Sequence, residues 1–556
     1  MTALEELLGD PWNPANPAGF AAVLAADEQG ELLTAGESIL DEVRLGDQFV
    51  PASLGGAFVG VDGLVQAMRA VFRRDPSLGI GYGVTSFIAA VPVWTAGDAG
   101  QRKWLAGQLL GGERAAAAFT ELAHGADFSR MSMRAETRGD SLVMTGAKQL
   151  INNIGRARAV TLFARTWAEP GSRSHSMLLV DLAGVRDYRI LPRHHTSGLR
   201  ATPLAGVEFN GSRVPLDAML GAPGSGLETA LRAFQVTRIA LPAIAIGALD
   251  TQLRLALSFA GERVLYGRPV ADIPVARDCL VGVFADLLVC DAFSAVAARA
   301  LHLLPEQTSV LAAACKYVVC ALLDSASYDL FTVLGARSYL REGPYGVFQK
   351  YFRDLAVAAL AHSSSAACLA TIIPQLPRLA RRSWLRADPG PEELFSLGSP
   401  LPELDFDRLV PDAKGRESLS AALSRVQDAE LRTFFLGRLA ELRTRCQDLP
   451  PGERTVTASA GTFALAEEYA FLLAAAACAG VTSGAASVRA GAFSAAWQAV
   501  ALRRIAGRLG APARPAGEAG SVMFAELLSR HEGSQTFDVV ARQLARHGRR
   551  FAAGDR

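Results

Sequence analysis

The chain is 556 residues long, half of them apolar, with 56 Lys and Arg against 55 Asp and Glu. Charge this evenly balanced leaves no basic field to draw in nucleic acid or anionic lipid, so nucleic-acid binding is excluded as a reading. So long an apolar chain buries a large core and exceeds one simple domain; three or four are expected.

The opening MTALEELLGDPWNP carries acidic residues where a signal peptide is basic and has no apolar core segment, which predicts a cytoplasmic protein. From Gly19 to Glu113 apolar residues recur at three and four, as in 64–72 and 101–110, with breakers at Pro51, Gly55, Gly56 and Pro76; residues 1–115 read as an N-terminal helical domain. Between 116 and 225 the period becomes two. Strands are expected at 141–145, then, after a turn at Gly146, at 149–153, followed by 159–164, 176–180 and 206–209, in a central β-domain.

Helices return over 226–375, long and Ala-rich, with faces wide enough to be buried on several sides, as in a bundle. The rest, 376–556, reads as a linker rich in Pro, Asp and Gly at 386–416 and a helical extension with helices at 417–447, 462–481, 484–508 and 519–547. The longest apolar run, Tyr469 to Val481, falls short of the ~20 residues that cross a bilayer, so a helix packed inside the protein is expected and no transmembrane segment. The seven cysteines are widely spaced and form no CxxC, which predicts buried free thiols. His124, His194 and His195 have no acidic residue at ligand spacing, so no metal site is expected. No GxGxxG follows a strand and opens a helix, which argues against a Rossmann nicotinamide site.

One stretch carries chemistry. Thr120-Glu121-Leu122-Ala123-His124-Gly125-Ala126-Asp127 is followed by Gly146-Ala147-Lys148-Gln149-Leu150-Ile151-Asn152-Asn153. These segments resemble the Thr-Glu-Pro-x-x-Gly-Ser-Asp and Gly-x-Lys-x-x-Ile-x-Asn signatures of the acyl-CoA dehydrogenases. Arg263-Val264-Leu265-Tyr266-Gly267 resembles that family's Arg-x-x-Phe-Gly, and Thr332-Val333-Leu334-Gly335-Ala336 its Gln-x-x-Gly-Gly. The Arg353-Asp354 pair resembles the one that starts the family's last core helix. The resemblance spans residues 15 to 375 or so, and the fold it implies is mainly α with a central β-domain: N-terminal helical domain, β-barrel or sandwich, C-terminal four-helix bundle, then the extra helices.

The resemblance also implies FAD, held at Phe119, Thr120, Leu150, Asn152 and Tyr266, with Arg263 reaching the diphosphate of a neighbouring subunit and Thr332 and Gly335 the adenine end. Ala126 and Arg238 fall at substrate contacts. Leu150 and Asn152 stand where the family has a Trp and a Ser or Thr. The partners implied are an acyl-CoA or acyl carrier protein substrate and a second copy of the chain, in a homodimer or homotetramer.

The family's reaction removes a proton α to a thioester carbonyl while the β-hydrogen leaves as hydride to the flavin, so a carboxylate base is required within hydrogen-bond reach. The usual Glu lies nine residues beyond the Arg of the Arg-Asp pair, and here that position is His362. The other position used in the family, one residue before Arg238, is Thr237. Three accounts follow: His362 is the base, since imidazole accepts a proton near neutral pH; the chain is a flavin monooxygenase on the same fold; or it is a non-catalytic subunit that binds acyl groups or a partner. Because the signature is altered and the core extended, a specialised or carrier-bound acyl group, as in secondary metabolism, fits better than ordinary fatty-acid breakdown.

Overall fold

The computed structural model describes residues 2–169, 171–360, 364–386, 388–483 and 491–545. Four helices, α1 (Thr2–Leu8), α2 (Phe20–Gln29), α3 (Thr34–Glu42) and α4 (Val61–Arg74), lead into a three-part helix made of α5 (Pro76–Gly79), a π turn at Ile80–Val84 and α6 (Thr85–Ala96). Asp75 starts it, its carboxylate accepting the Ser77 amide at 2.8 Å, with Pro76 where a helix needs no N–H. Then α7 (Ala99–Leu110) opens on a capping box in which Asp98 and Gln101 each accept the other's backbone amide.

Eight strands follow: β1 (Arg114–Ala118), β2 (Arg134–Arg138), β3 (Ser141–Asn152), β4 (Ala157–Arg165), β5 (His175–Asp181), β6 (Tyr188–Leu191), β7 (Leu204–Pro215) and β8 (Met219–Leu220). They join in one sheet, ordered β6-β7-β3-β2-β4-β5-β8, with β1 parallel to β4. Alternate residues such as Val160, Leu162, Leu178, Val180, Val207 and Phe209 form a core separate from that of the helices. The expected turn at Gly146 is not a turn. β3 runs unbroken from Ser141 to Asn152 along β7, and Gly146, with φ +124°, follows a register shift at Met144/Thr145. The hairpin lies one strand earlier, between β2 and β3.

The bundle is α8 (Gly226–Glu262), a small hairpin of β9 (Val264–Leu265) and β10 (Arg268–Pro269), α9 (Pro274–Leu303), α10 (Thr308–Leu334), α11 (Phe348–Leu355), α12 (Ser365–Ile372) and α13 (Leu376–Arg382). From Ala233 to Ala260 every residue of α8 except Leu241 is buried, because α4, α6, α9 and α10 all pack on it. The Arg353-Asp354 pair stands near the end of α11, not at the start of a helix.

The extension adds α14 (Ala429–Cys446), α15 (Ala460–Ser483), α16 (Gly491–Arg508) and α17 (Gly517–Glu532). Residues 388–416 are irregular but packed, with Leu394, Phe395, Leu404, Phe406, Leu409 and Ala413 buried. The helix expected at 417–447 is broken: a 3-10 turn covers Leu419–Arg425, and Asp428 starts α14 by accepting the Glu430 and Leu431 amides. Residues 484–490 of the next expected helix lie outside the described residues. The last expected helix stops at Glu532, where Gly533 and Ser534, with φ +51°, release the chain into a strap, 533–544. Its polar groups lock onto the core: the Phe537 amide donates to Asp250 at 3.1 Å, the Val539 amide to Asp291 at 2.7 Å, and Asp538 pairs with buried Arg69 at 2.9 Å. The strap doubles back on itself, the Thr536 amide donating to the Arg542 carbonyl and the Leu544 amide to that of Ser534 at 2.8 Å each, and the distant partners hold this fold-back in place.

The run at 469–481 is the expected interior helix, with every residue but Gly480 fully apolar or aromatic and all of them buried. The length argument against membrane helices does not extend to the folded chain. Among the described residues, five helices are long and apolar enough to cross a bilayer by length and composition, and 78 to 94% of each one's apolar window is buried inside the protein. All seven cysteines are unpaired, with only Cys279 short of full burial.

Candidate active site

Two protein surfaces face each other where β1 ends and α8 passes. On the β side, the chain leaves β1 at Phe119 and Thr120, and the Thr120 carbonyl accepts the Gln149 amide of β3 at 2.9 Å. That bond seats Thr120 beside Leu150. Leu150 belongs to a bulge: β3 pairs with β7 through Lys148 and Ile151, and the two residues between them face Gly206 alone. Leu150 adopts φ +56°, left-handed and strained for a branched residue, which turns its side chain outward, 38% exposed. Opposite, Gly206 is required, since a Cβ there would stand 2.8 Å from the Lys148 carbonyl. Two residues on, Asn152 is half-buried and its side-chain oxygen is buried without a hydrogen-bond partner. Next to it, Asn153 (φ +61°) donates from its amide to the Gly81 carbonyl at 2.7 Å, fixing the end of β3 to the π turn.

Beneath this edge lies a buried ion pair. Glu121 accepts from Lys148 Nζ at 2.8 Å, from the Ser132 amide and hydroxyl at 2.8 Å each, and from the Met133 amide at 3.1 Å. Lys148 also donates to the Phe119 carbonyl at 3.1 Å. Burial pushes the Glu121 carboxyl up, but the Lys148 charge and these donors outweigh it and hold it down at about 2. Glu121 is therefore scaffold.

On the helical side stands Arg238, 4% exposed, donating to the Thr371 hydroxyl of α12 at 3.2 Å and lying 5.6 Å over the Phe234 ring. Burial lowers its pKa, and nearby Cys368 offsets this in part. Thr237 is buried and hydrogen-bonds the Phe234 carbonyl, so no carboxylate occupies that position. Between the two surfaces lie Phe119, which the resemblance places at the cofactor, and three rings that the sequence did not single out: Phe119 meets Phe234 at 5.9 Å, Phe128 meets Phe234 at 5.7 Å, and Phe128 meets Phe163 at 5.4 Å. His175 stacks on Phe163 at 4.9 Å.

His362 lies outside the described residues. The segment before it is anchored at Ala358, whose carbonyl accepts Lys316 Nζ at 3.0 Å and the Cys320 thiol at 3.2 Å. Arg263, Tyr266, Thr332 and Gly335 are not part of this crevice wall in the single chain. Arg263 and Tyr266 stand exposed on the β9–β10 hairpin, Tyr266 at 95%; Thr332 and Gly335 are exposed at the end of α10. Ala126 is exposed on the loop between β1 and β2.

The arrangement has relatives. Residues 116–212 match the acyl-CoA dehydrogenase middle domain and residues 224–372 the acyl-CoA dehydrogenase C-terminal domain. The short-chain specific acyl-CoA dehydrogenase of Homo sapiens is 26% identical over 320 residues, covering 57% of this chain and 76% of that one. Among solved structures, an acyl-CoA dehydrogenase from Bacillus anthracis complexed with FAD superposes over 95% of this chain and 87% of its own, with a TM-score of 0.69 and 16% identity. The prolyl acyl carrier protein oxidase AnaB covers 63% of this chain and 95% of its own, with a TM-score of 0.55 and 16% identity. The fold and its paired surfaces define a flavoprotein dehydrogenase architecture with added C-terminal helices. Residues 116–212 and 224–372 belong to the middle and C-terminal domains of the acyl-CoA dehydrogenase family, and the cofactor is FAD.

The ring end of FAD fits the residues present. A flavin's pyrimidine edge alternates acceptors with an N–H, and the partnerless Asn152 oxygen supplies an acceptor for that N–H. Leu150, turned outward by the bulge, offers an apolar cover but no aromatic face.

Proposed function

We propose that this protein desaturates an acyl thioester between Cα and Cβ, its acyl group carried by CoA or by a carrier protein and specialised, as in secondary metabolism. The observation that carries the reading is the pairing of surfaces: the sheet edge of Thr120, Leu150 and Asn152, and α8 with buried Arg238, brought together where Phe119 at the end of β1 meets Phe234, over whose ring Arg238 lies. Bound FAD supplies the hydride acceptor. The chain's own groups do the rest. The bulge and the Asn153–Gly81 bond fix the edge; Arg238, held by Thr371, gives the far wall a fixed positive charge; and His362, by register, takes the Cα proton. The altered positions 126, 150 and 152 and the missing carboxylates support a substrate other than a plain fatty acyl group.

The exposed Arg263 and Tyr266 support a homodimer or homotetramer in which each subunit's hairpin reaches its neighbour's FAD diphosphate, a role suited to a permanently charged guanidinium. Arg263→Ala is expected to lower flavin content after dilution, measured by absorbance at constant protein.

The deciding experiment is anaerobic mixing of the flavin-loaded protein with acyl thioesters. Bleaching by thioester supports the dehydrogenase. Bleaching only by a reductant, followed by oxygen uptake and product hydroxylation, supports a monooxygenase. A colourless protein that cannot be reconstituted supports a binding subunit. His362→Ala should slow bleaching by about a hundredfold or more, the usual worth of a positioned base; an unchanged rate removes His362 from that role.

A further inference from the structure

We propose that Phe128 is the gate of the thioester channel. The inference rests on the reading above, because it assigns how a thioester reaches the crevice. Phe119, Phe128 and Phe234 bridge the space between the β1–β2 loop and α8, and their centroids, 5.7 to 5.9 Å apart across the gap, are at direct ring contact. A methylene chain needs that space, so no thioester arm slides between these rings as they stand.

One of the three has to move, and the surroundings select it. Phe119 and Phe234 are buried at 6% and 3% exposure, on the end of a paired strand and within the longest helix. Phe128 is half-buried, on a single 3-10 turn at Phe128–Arg130, in a loop whose neighbours Gly125, Ala126, Asp127, Ser129 and Arg130 are exposed. The turn's own polar bonds are local, Ser129 to Asp127 at 2.6 Å; its ties to the sheet lie on the C-terminal side of Phe128, from Arg165 to the Ser129 carbonyl at 3.0 Å and between His175 and the Met131 carbonyl at 2.9 Å. Moving Phe128 away breaks two ring contacts, to Phe234 and Phe163, and uncovers the Phe234 ring, over which Arg238 lies at 5.6 Å, without disturbing the Glu121–Lys148 pair. The gate thus sets the rate of substrate admission and the width of acyl group that passes, while the reacting groups stay in place.

The test compares wild type with Phe128→Ala and Phe128→Trp. Two quantities are followed: the association rate of a non-reacting thioester, acetoacetyl-CoA, by surface plasmon resonance, and anaerobic flavin bleaching by butyryl-CoA and by a bulkier branched acyl-CoA. Phe128→Ala should raise the association rate by about tenfold, as expected when a required rearrangement is removed, and favour the branched acyl group in kcat/KM with kcat unchanged. Phe128→Trp should lower the association rate. Equal association rates in all three proteins overturn the gate. If rates follow the ring but no thioester bleaches the flavin, the gate stands and the desaturase reading fails.

Discussion

The strongest single commitment in the site is the Lys148 ammonium, which has no exposed surface and is spent on Glu121 and Phe119. Lys148→Met leaves the buried Glu121 carboxylate without its countercharge and should cost about 3–5 kcal/mol in urea unfolding. The pH dependence has a defined sign. Glu121 is held at about 2, below its ordinary 4.5, so its contribution to stability is complete above 4.5 and is lost as the pH falls toward 2. Lys148→Met lets burial raise the Glu121 pKa toward or above its ordinary value, so that acid-side loss should shrink, read by acid titration of the melting temperature. The sequence placed Glu121 and Lys148 in two neighbouring signatures, though not in contact with each other. It could not show Leu150 in the left-handed region, since the bulge exists only through pairing with Gly206, more than fifty residues away. Gly206→Ala should press on the Lys148 carbonyl, cost about 1–3 kcal/mol, and lower flavin content by disturbing the bulge.

Between elements, the decisive contact joins α11 to both α5 and the β-domain. Lys350 lies between Asp75 and Asp354, 2.6 Å from each, and Asp354 also accepts the Leu199 amide at 2.6 Å. Burial lowers the Lys350 pKa, but two carboxylates more than reverse it, keeping the ammonium charged throughout the ordinary pH range. Gly198 beside this knot has no room for a side chain: a Cβ would stand 2.2 Å from the Arg353 carbonyl. Asp354→Ala should cost about 3–5 kcal/mol, and limited proteolysis should then cut the 192–203 loop earlier. The Arg353-Asp354 pair was visible in sequence, though its work was not, because the partners Asp75 and Leu199 come from two other elements. Helix periods were legible for the same reason that strand ends were not: a helix satisfies its own backbone, whereas β3 depends on β7 and the strap on the core. The helix expected through 547 failed on that difference.

For the whole molecule, the extension is part of the core rather than an appendage. Arg69 of α4 is held by Asp291 at 2.6 Å and Asp538 at 2.9 Å, and Arg254 of α8 pairs with Asp250 and donates to the Gln535 carbonyl. Ending the chain at Glu532 strips partners from these buried groups and uncovers Phe284, on which Phe537 packs at 5.7 Å. The truncated protein should melt about 5 °C lower or more, measured by calorimetry. It should do so without a separate transition for the C-terminal helices, because α15 and α16 pack directly on α9.

Arg69 and Asp538 are 469 positions apart, which has a temporal consequence in the cell. On the ribosome the guanidinium emerges early and its second carboxylate only after every helix of the bundle has been made. Until then Arg69 has only the first of its two carboxylates, Asp291, and the flank of α4, α8 and α9 that the strap covers stays open, so sealing this interior waits on residues made after the whole bundle.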